Sequence, residues 1–104
     1  STYTLYIVSN TNDLVAVSKE NGDILWATPI NLGKKAADVT AFTPLMLDGR
    51  LVVALSNGTV HLYMPQTGKL INSVDLGERL NSAPIVANGY IFFVTADADL
   101  IAYK

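Results

Sequence analysis

Short apolar runs separated by glycine-containing turns recur along the chain. Around the centre, the runs are divided by Asp48-Gly49, Asn57-Gly58 and the turn Pro65–Gly68. An Asp-Gly or Asn-Gly pair favours a two-residue hairpin, so we expect positive φ at both central positions of each. The pattern predicts four antiparallel strands, A to D, which are Pro44–Leu47, Arg50–Leu55, Thr59–Met64 and Lys69–Leu76.

The same pattern of runs and turns is present in three copies. Thr43–Met64 aligns without a gap onto Ala83–Lys104 at an offset of 40. A further copy lies upstream at an offset of 46, where Leu5–Trp26 aligns with Leu51–Asn72. Self-similarity near 40 residues, built from short strands, indicates a propeller or a repeat array.

The first copy supplies strands B to D, and the third supplies strands A to C. We therefore predict one propeller fragment over residues 1–104, with repeat units at about 3–32, 41–77 and 81–104. The longer loop Gly33–Thr40 accounts for the larger first offset, and no helix is predicted. The outer strands are Leu5–Ser9, Leu14–Ser18 and Ile24–Ile30, then Pro84–Val86, Tyr90–Thr95 and Asp99–Tyr103.

Strand B is apolar on both faces, as Leu51–Leu55 and Ile91–Val94 show. A sheet with one wet face would alternate between apolar and polar residues, as in an immunoglobulin-like sandwich. Both faces are therefore covered, which a propeller blade achieves by lying between two others. The predicted fold is all-β, a partial propeller of about two and a half four-stranded antiparallel blades.

Composition narrows the classes of function. Half of the residues are apolar, 15% are charged, and the net charge is −2. No basic patch is present, which argues against a nucleic-acid partner, and no apolar run has the length of a membrane span. The chain has no cysteine and no recognisable signal peptide, and a mature piece of an exported protein would share both features.

Few residues suggest chemistry. Trp26 could stack on a cofactor, but packing between blades is the favoured interpretation, because aromatic rings bury large areas. His61 is the only histidine and has no sequence neighbours that would complete a metal or catalytic site. Asp13, Asp97 and Asp99 fit polar turn residues better than calcium ligands. We assign no catalytic, cofactor-binding or metal-binding residue, and we interpret Glu78-Arg79 as an exposed ion pair or a partner contact.

The repeat resembles that of pyrroloquinoline-quinone (PQQ)-like β-propellers. It departs from that pattern at Asn72, where a second tryptophan would stand, and at Ala98, which replaces a hairpin glycine. The residues that carry the resemblance are Pro44, Gly49, Gly58, Tyr63, Thr67, Gly68 and Lys69 in the middle copy, Asn21, Gly22, Asp23 and Trp26 in the first, and Pro84, Asn88, Gly89 and Tyr103 in the third.

The resemblance implies one of two functions. The BamB family is a cofactor-free scaffold with an eight-bladed propeller, tethered to the outer membrane on its periplasmic side, whose chain ends at strand C of the last blade. That likeness implies a periplasmic, non-catalytic scaffold for assembly of outer-membrane β-barrel proteins, attached through a parent lipoprotein. The alternative is a fragment of a quinoprotein dehydrogenase, which would use PQQ and calcium.

The scaffold interpretation implies protein partners and no cofactor. The expected partners are envelope assembly components, together with the remaining blades of a parent chain or a second copy of this one. Loops Gly33–Thr40 and Gly77–Ser82 would carry the contacts, because a rigid strand framework displays loops well.

Overall fold

Three antiparallel sheets make up the computed structural model, which describes residues 3–103. The predicted all-β class is confirmed, and Lys104 of the third predicted unit lies outside the described residues. Blade 1 has the order β1-β2-β3, blade 2 the order β4-β5-β6-β7, and blade 3 the order β8-β9-β10. The strands are β1 Thr4–Val8, β2 Asp13–Ser18, β3 Ile24–Pro29, β4 Leu45–Leu47, β5 Arg50–Ala54, β6 Thr59–Tyr63, β7 Leu70–Asp75, β8 Ile85–Ala87, β9 Tyr90–Val94 and β10 Leu100–Tyr103.

The loop between β3 and β4 contains the only helical segment among the described residues. A short 3-10 helix occupies Ala36–Asp38, although no helix was predicted. Within residues 3–103, no helix is long and apolar enough to cross a membrane.

Strand pairing repeats the sequence alignment residue for residue. Leu5 pairs with Val17 in blade 1, and Leu51 pairs with Tyr63 at the equivalent position of blade 2. The register also shifts at equivalent places, between Ala16 and Val17 and between Leu62 and Tyr63. Because side chains alternate across a strand, this shared register gives equivalent residues of all three blades the same face.

The A–B hairpins have the predicted turn geometry. Asp48 and Gly49 have φ of 49° and 73°, and Asn88 and Gly89 have φ of 54° and 79°. Two consecutive residues in the left-handed region twist the chain in the sense that matches the flanking strands. The Asp-Gly and Asn-Gly pairs therefore set the register of both hairpins.

The B–C hairpin of blade 2 differs from its prediction. Only Gly58 has positive φ, at 95°, and Asn57 does not share it. The Asn57 side-chain oxygen instead accepts a hydrogen bond from the Thr59 amide at 3.0 Å, while the Gly58 amide donates to the Leu55 carbonyl at 3.0 Å. The loop is thus one residue longer than a two-residue hairpin and ends in a left-handed glycine.

Blade 2 is covered on both faces, as its apolar strand B required. Leu51, Val53 and Leu55 belong to a core shared with blade 1. Val52 and Ala54, on the opposite face of the same strand, belong to a core shared with blade 3. Every residue of Leu51–Leu55 is 3% exposed or less, so β5 forms the centre of the molecule.

The first inter-blade core also contains Tyr63, and His61 is buried beside it on the same strand. Burial raises the pKa of the Tyr63 hydroxyl above its usual value of 10.0. The Tyr63 ring contacts the ring of His61 edge to face, with centroids 6.0 Å apart. Two aromatic side chains from one strand therefore face blade 1 together.

Trp26 lies between blades 1 and 2, where the sequence predicted it, but it is only half-buried. Its indole Nε1 donates to the Pro65 carbonyl of blade 2 at 2.9 Å. The ring covers Gly68, where an added Cβ would lie 2.5 Å from the ring carbon Cε3. Trp26 thus closes the outer end of the first junction and requires glycine beneath it.

We expect Trp26→Ala to lower the free energy of unfolding by about 3 kcal/mol, the lower end of the range for a large aromatic. Trp26→Phe keeps the ring contact and loses the hydrogen bond to Pro65, for about 1 kcal/mol. Urea denaturation followed by circular dichroism measures both. Ile71→Ala, at an exposed site on β7, is the control and should change stability by less than about 0.5 kcal/mol. A Trp26→Ala variant as stable as the parent would contradict the inter-blade role.

Candidate functional site

The inter-blade linkers and the B–C hairpins lie at one end of the sheets. Linker 1 (residues 30–44) joins β3 to β4, and linker 2 (residues 76–84) joins β7 to β8. Each linker leaves its blade beside the hairpin that joins strands B and C, because Pro29 pairs with Asp13 and Asp75 pairs with Thr59. We refer to this side of the molecule as the loop end.

Linker 1 is fastened to the B–C hairpin of blade 2. The Ser56 amide donates to the Thr40 carbonyl at 2.8 Å, and the Thr40 amide donates to the Ser56 hydroxyl at 2.9 Å. The Asn57 side-chain amide donates to the Leu32 carbonyl at 3.3 Å. Backbone that would otherwise be mobile in a long loop is thereby held against the sheet framework.

Linker 2 is fastened to the same hairpin from its other side. The Leu80 amide donates to the Ser56 carbonyl at 2.9 Å. Linker 2 is also bonded to the B–C hairpin of blade 3, because the Ala96 amide donates to the Arg79 carbonyl at 2.8 Å. Gly58 approaches the Glu78 backbone so closely that a Cβ at position 58 would clash with the Glu78 carbonyl oxygen. The hairpin of blade 2 is therefore the point at which both linkers meet.

Two adjoining clefts open between these loops. The first has a volume of about 490 Å³ and is lined by Lys35, Asp38, Val39, Asn57 and Arg79. The second has a volume of about 220 Å³ and is lined by Glu78, Arg79, Thr95, Ala96 and Asp97. Arg79 lines both clefts, so its guanidinium is the side chain that a molecule bound at either cleft would meet.

The sequence pointed to the two loops but missed which side chains share a cleft. Lys35 carries no motif in the sequence, and Arg79 was interpreted only as half of an ion pair with Glu78 or as a partner contact. Asn57 was interpreted as a turn residue. The structure brings Lys35, Asn57 and Arg79 together, although each pair is at least 22 positions apart in the chain.

His61 is 4% exposed, and both ring nitrogens have partners. Nδ1 lies 2.6 Å from the Ser73 hydroxyl, and Nε2 lies 2.8 Å from the Asn31 carbonyl oxygen. A carbonyl only accepts, so Nε2 carries the proton and donates to Asn31, and Nδ1 accepts from Ser73. Because Asn31 lies in linker 1, His61 bonds blade 2 to the segment that follows blade 1.

The aspartates of the B–C turns take part in turn geometry. The Asp13 amide donates to the Ser9 hydroxyl at 3.1 Å, and the Asp99 amide donates to the equivalent Thr95 hydroxyl at 3.1 Å. The Asp13 carboxylate accepts from Thr11 at 2.8 Å, while Asp97 lines the smaller cleft. Over residues 3–103, no three His, Cys, Asp or Glu side chains are grouped so as to hold a metal ion.

A third cavity, of about 140 Å³, lies between blades 2 and 3 on the side away from β8. Its lining includes Val60, Val74 and Phe93, and Tyr103 stands at β10, the last strand of blade 3. The lining contributes no polar surface, so nothing there would orient a polar ligand. We interpret this cavity as a gap in inter-blade packing.

Each B–C hairpin requires one residue in the left-handed region, and substitutions there test how much strain a side chain adds. Asn12, Gly58 and Ala98 occupy equivalent positions and all have positive φ, at 60°, 95° and 65°. Because alanine is strained there, Ala98→Gly should raise the free energy of unfolding by about 1 kcal/mol.

The reverse change, Gly58→Ala, adds both strain and the clash with Glu78, so it should cost about 2 kcal/mol or more. Thermal and urea unfolding of both variants measure the difference. Ala83→Gly, outside the left-handed region, is the control and should destabilise slightly. An Ala98→Gly variant that is less stable than the parent would show that the hairpin tolerates alanine without strain.

Comparison with known proteins identifies the repeat. A family model described as outer membrane protein assembly factor BamB matches residues 10–104. The fold is similar to the crystal structure of BamB from Moraxella catarrhalis, with a TM-score of 0.78 and 21% identity, over 96% of this chain and 29% of that chain. No curated protein sequence matches the chain.

Other propellers have a similar fold. The quinohemoprotein alcohol dehydrogenase ADHIIG from Pseudomonas putida HK5 matches with a TM-score of 0.77 and 18% identity, over 98% of this chain and 17% of that chain. The computationally designed Ika8 protein matches with a TM-score of 0.67 and 13% identity, over 97% of this chain and 30% of that chain. These identities show the propeller fold alone, and the chain spans less than a third of each of these proteins.

Proposed function

Because the chain belongs to the family described as outer membrane protein assembly factor BamB, we propose that it is a segment of a non-catalytic scaffold that binds other proteins during assembly of the outer membrane. The proposal places the chain in the periplasm, associated with the outer membrane through a parent lipoprotein. Its partners would be components of the envelope assembly apparatus, and its contacts would be made at the loop end.

The observation that carries the proposal is the construction of the loop end. Both linkers are hydrogen-bonded to the hairpin of blade 2 through Ser56, which ties the surface between them to the most buried part of the molecule. A surface held in one shape loses little conformational entropy on binding. The clefts there present cations beside carboxylates and a half-buried valine, as expected of a protein contact.

Arg79 is the side chain on which we expect binding to depend most. Arginine is enriched among the residues that dominate interface energetics, and Arg79 lines both clefts. Its backbone carbonyl accepts from Ala96, which fixes its position relative to blade 3. A partner carboxylate could therefore reach its guanidinium without displacing either linker.

We expect a photo-crosslinking side chain at position 79 or 35 to capture outer-membrane assembly proteins in a Gram-negative envelope, with the products identified by mass spectrometry. The same side chain at Lys69, in the turn at the opposite end of blade 2, is the matched control and should capture none of them. Arg79→Glu should reduce the crosslinks at position 35 by about tenfold, while Lys69→Glu leaves them unchanged. Equal capture at positions 69 and 79 would contradict a contact at the loop end.

The alternative, a fragment of a quinoprotein dehydrogenase, has the similar fold of the alcohol dehydrogenase in its favour. Such an enzyme would need ligands for calcium and a surface for a planar quinone. Trp26, the aromatic residue best suited to stacking, is instead committed to Gly68 and Pro65 of blade 2.

We therefore expect no saturable binding when PQQ and calcium are titrated into the chain and heat is measured by calorimetry. Trp26 is the only tryptophan, so quenching of its fluorescence by the quinone is an independent readout. A quinoprotein dehydrogenase titrated in the same way is the positive control. Micromolar binding that is lost in Trp26→Phe would overturn the scaffold proposal in favour of the enzyme.

A further inference from the structure

Part of linker 1 forms a loop whose two ends meet at one hairpin. Residues 33–39 project between Leu32 and Thr40. The Leu32 carbonyl accepts from the side-chain amide of Asn57 at 3.3 Å, and the Thr40 amide donates to the hydroxyl of Ser56 at 2.9 Å. Because Ser56 and Asn57 are consecutive, they hold the two ends of the segment side by side. Compact loops with adjacent ends are frequently functional, and we call residues 33–39 the pinned loop.

The pinned loop has little other support. Residues 33–38 are exposed, and only Val39 is packed against the first inter-blade core. The helical segment Ala36–Asp38 is held by two backbone hydrogen bonds, of 2.9 and 3.2 Å. Exposed bonds of this kind open easily, because water competes for each donor and acceptor. The orientation of the loop therefore depends on the side chains at its base.

The side-chain anchors are specific to blade 2. In blade 3, Ala96 and Asp97 occupy the positions of Ser56 and Asn57. Ala96 keeps the backbone bond to linker 2 but has no hydroxyl for a second bond, and an aspartate has no amide hydrogen to donate. Linker 2 is also the shorter of the two linkers. The additional anchors thus accompany the longer linker.

The anchors determine where one wall of the first cleft stands. Lys35 reaches that cleft from the pinned loop, whereas Arg79 reaches it from linker 2. The loop starts directly against the anchor, since a Cβ added at Gly33 would lie 3.7 Å from the Asn57 amide nitrogen. We propose that Ser56 and Asn57 are positioning residues, whose side chains hold the pinned loop in the orientation that brings Lys35 beside Arg79.

This orientation matters for the chemistry that the cleft can recognise. A carboxylate from a partner meets two cations, Lys35 and Arg79, only while the pinned loop is in place. A loop that is already ordered also loses less conformational entropy on binding. The inference rests on the proposed function for the partner, but the order of the loop is a property of the chain alone.

A double substitution removes both anchors and keeps the hairpin. Ser56→Ala with Asn57→Asp gives blade 2 the Ala-Asp pair that blade 3 already has in a folded hairpin. The aspartate still accepts from the Thr59 amide, as the Asn57 oxygen does at 3.0 Å. Its second oxygen faces the Leu32 carbonyl, which repels it instead of accepting a hydrogen bond.

Backbone ¹⁵N relaxation of the pure chain measures the order of the loop. In the parent, we expect order parameters near about 0.85 over residues 33–39, and in the double variant values below about 0.6. Ile30 and Phe42, whose amides are bonded to blades 1 and 2, should stay ordered in both. Asn21→Asp is the control, because it makes the same chemical change in a turn at the opposite end. A pinned loop that stays rigid in the double variant overturns the proposal.

The single variants test whether the two anchors hold one unit. Ser56→Ala and Asn57→Asp should each accelerate hydrogen exchange at the Asp38 and Val39 amides about fivefold, the effect of losing one hydrogen bond. Neither amide is bonded to an anchor, so a change there reports the loop as a whole. Acceleration confined to the residues next to each substitution would show that the anchors act separately, against the proposal.

Crosslinking separates this inference from the function on which it rests. With the photo-crosslinking side chain at position 79, the double variant should capture at least about fivefold less of the assembly proteins than the parent, because binding must then order the loop. Absence of capture by the parent contradicts the proposed function, and the relaxation measurement then decides the inference by itself. Equal capture by the parent and the double variant overturns the inference and leaves the proposed function intact.

Discussion

A sheet that is apolar on both faces is stable in water only when both faces are covered, and the rest of this structure depends on that condition. Strand β5 places Leu51 and Val53 against blade 1 and Val52 against blade 3. Burying each of these side chains contributes roughly 1.5–3 kcal/mol. Blade 2 is therefore stable because it lies between its neighbours, and no blade has a complete core of its own.

Polar contacts at the junctions follow from this arrangement. Once blades 1 and 2 are stacked, Trp26 reaches the Pro65 carbonyl and His61 reaches the Asn31 carbonyl, so that backbone groups at both ends of the junction find donors. Leaving such groups buried without partners would cost about 1–3 kcal/mol each. These bonds fix the relative position of two sheets that apolar packing alone would allow to slide.

Much of the strand framework could be predicted from the sequence, because the turns are specified by the residues within them. Asp48-Gly49 and Asn88-Gly89 specify hairpins by their own backbone preferences, and the strands between turns follow. Asn57-Gly58 was the exception, since an Asn-Gly pair is compatible with two loop lengths and contact with linker 2 helps to select one. The clefts at the loop end could not be predicted, because Lys35 and Arg79 become neighbours only after three blades have stacked.

The equivalence of the junctions has a consequence for how such chains change over generations. At each junction, one kind of face meets the same second kind, as Leu51 with Leu14 and Ile91 with Val60 illustrate. A duplicated stretch of DNA encoding one 40-residue unit would thus insert a blade whose two sides already match its new neighbours. Unequal recombination could lengthen or shorten the gene without requiring a new core, and each added blade would bring a linker whose surface is free to diverge.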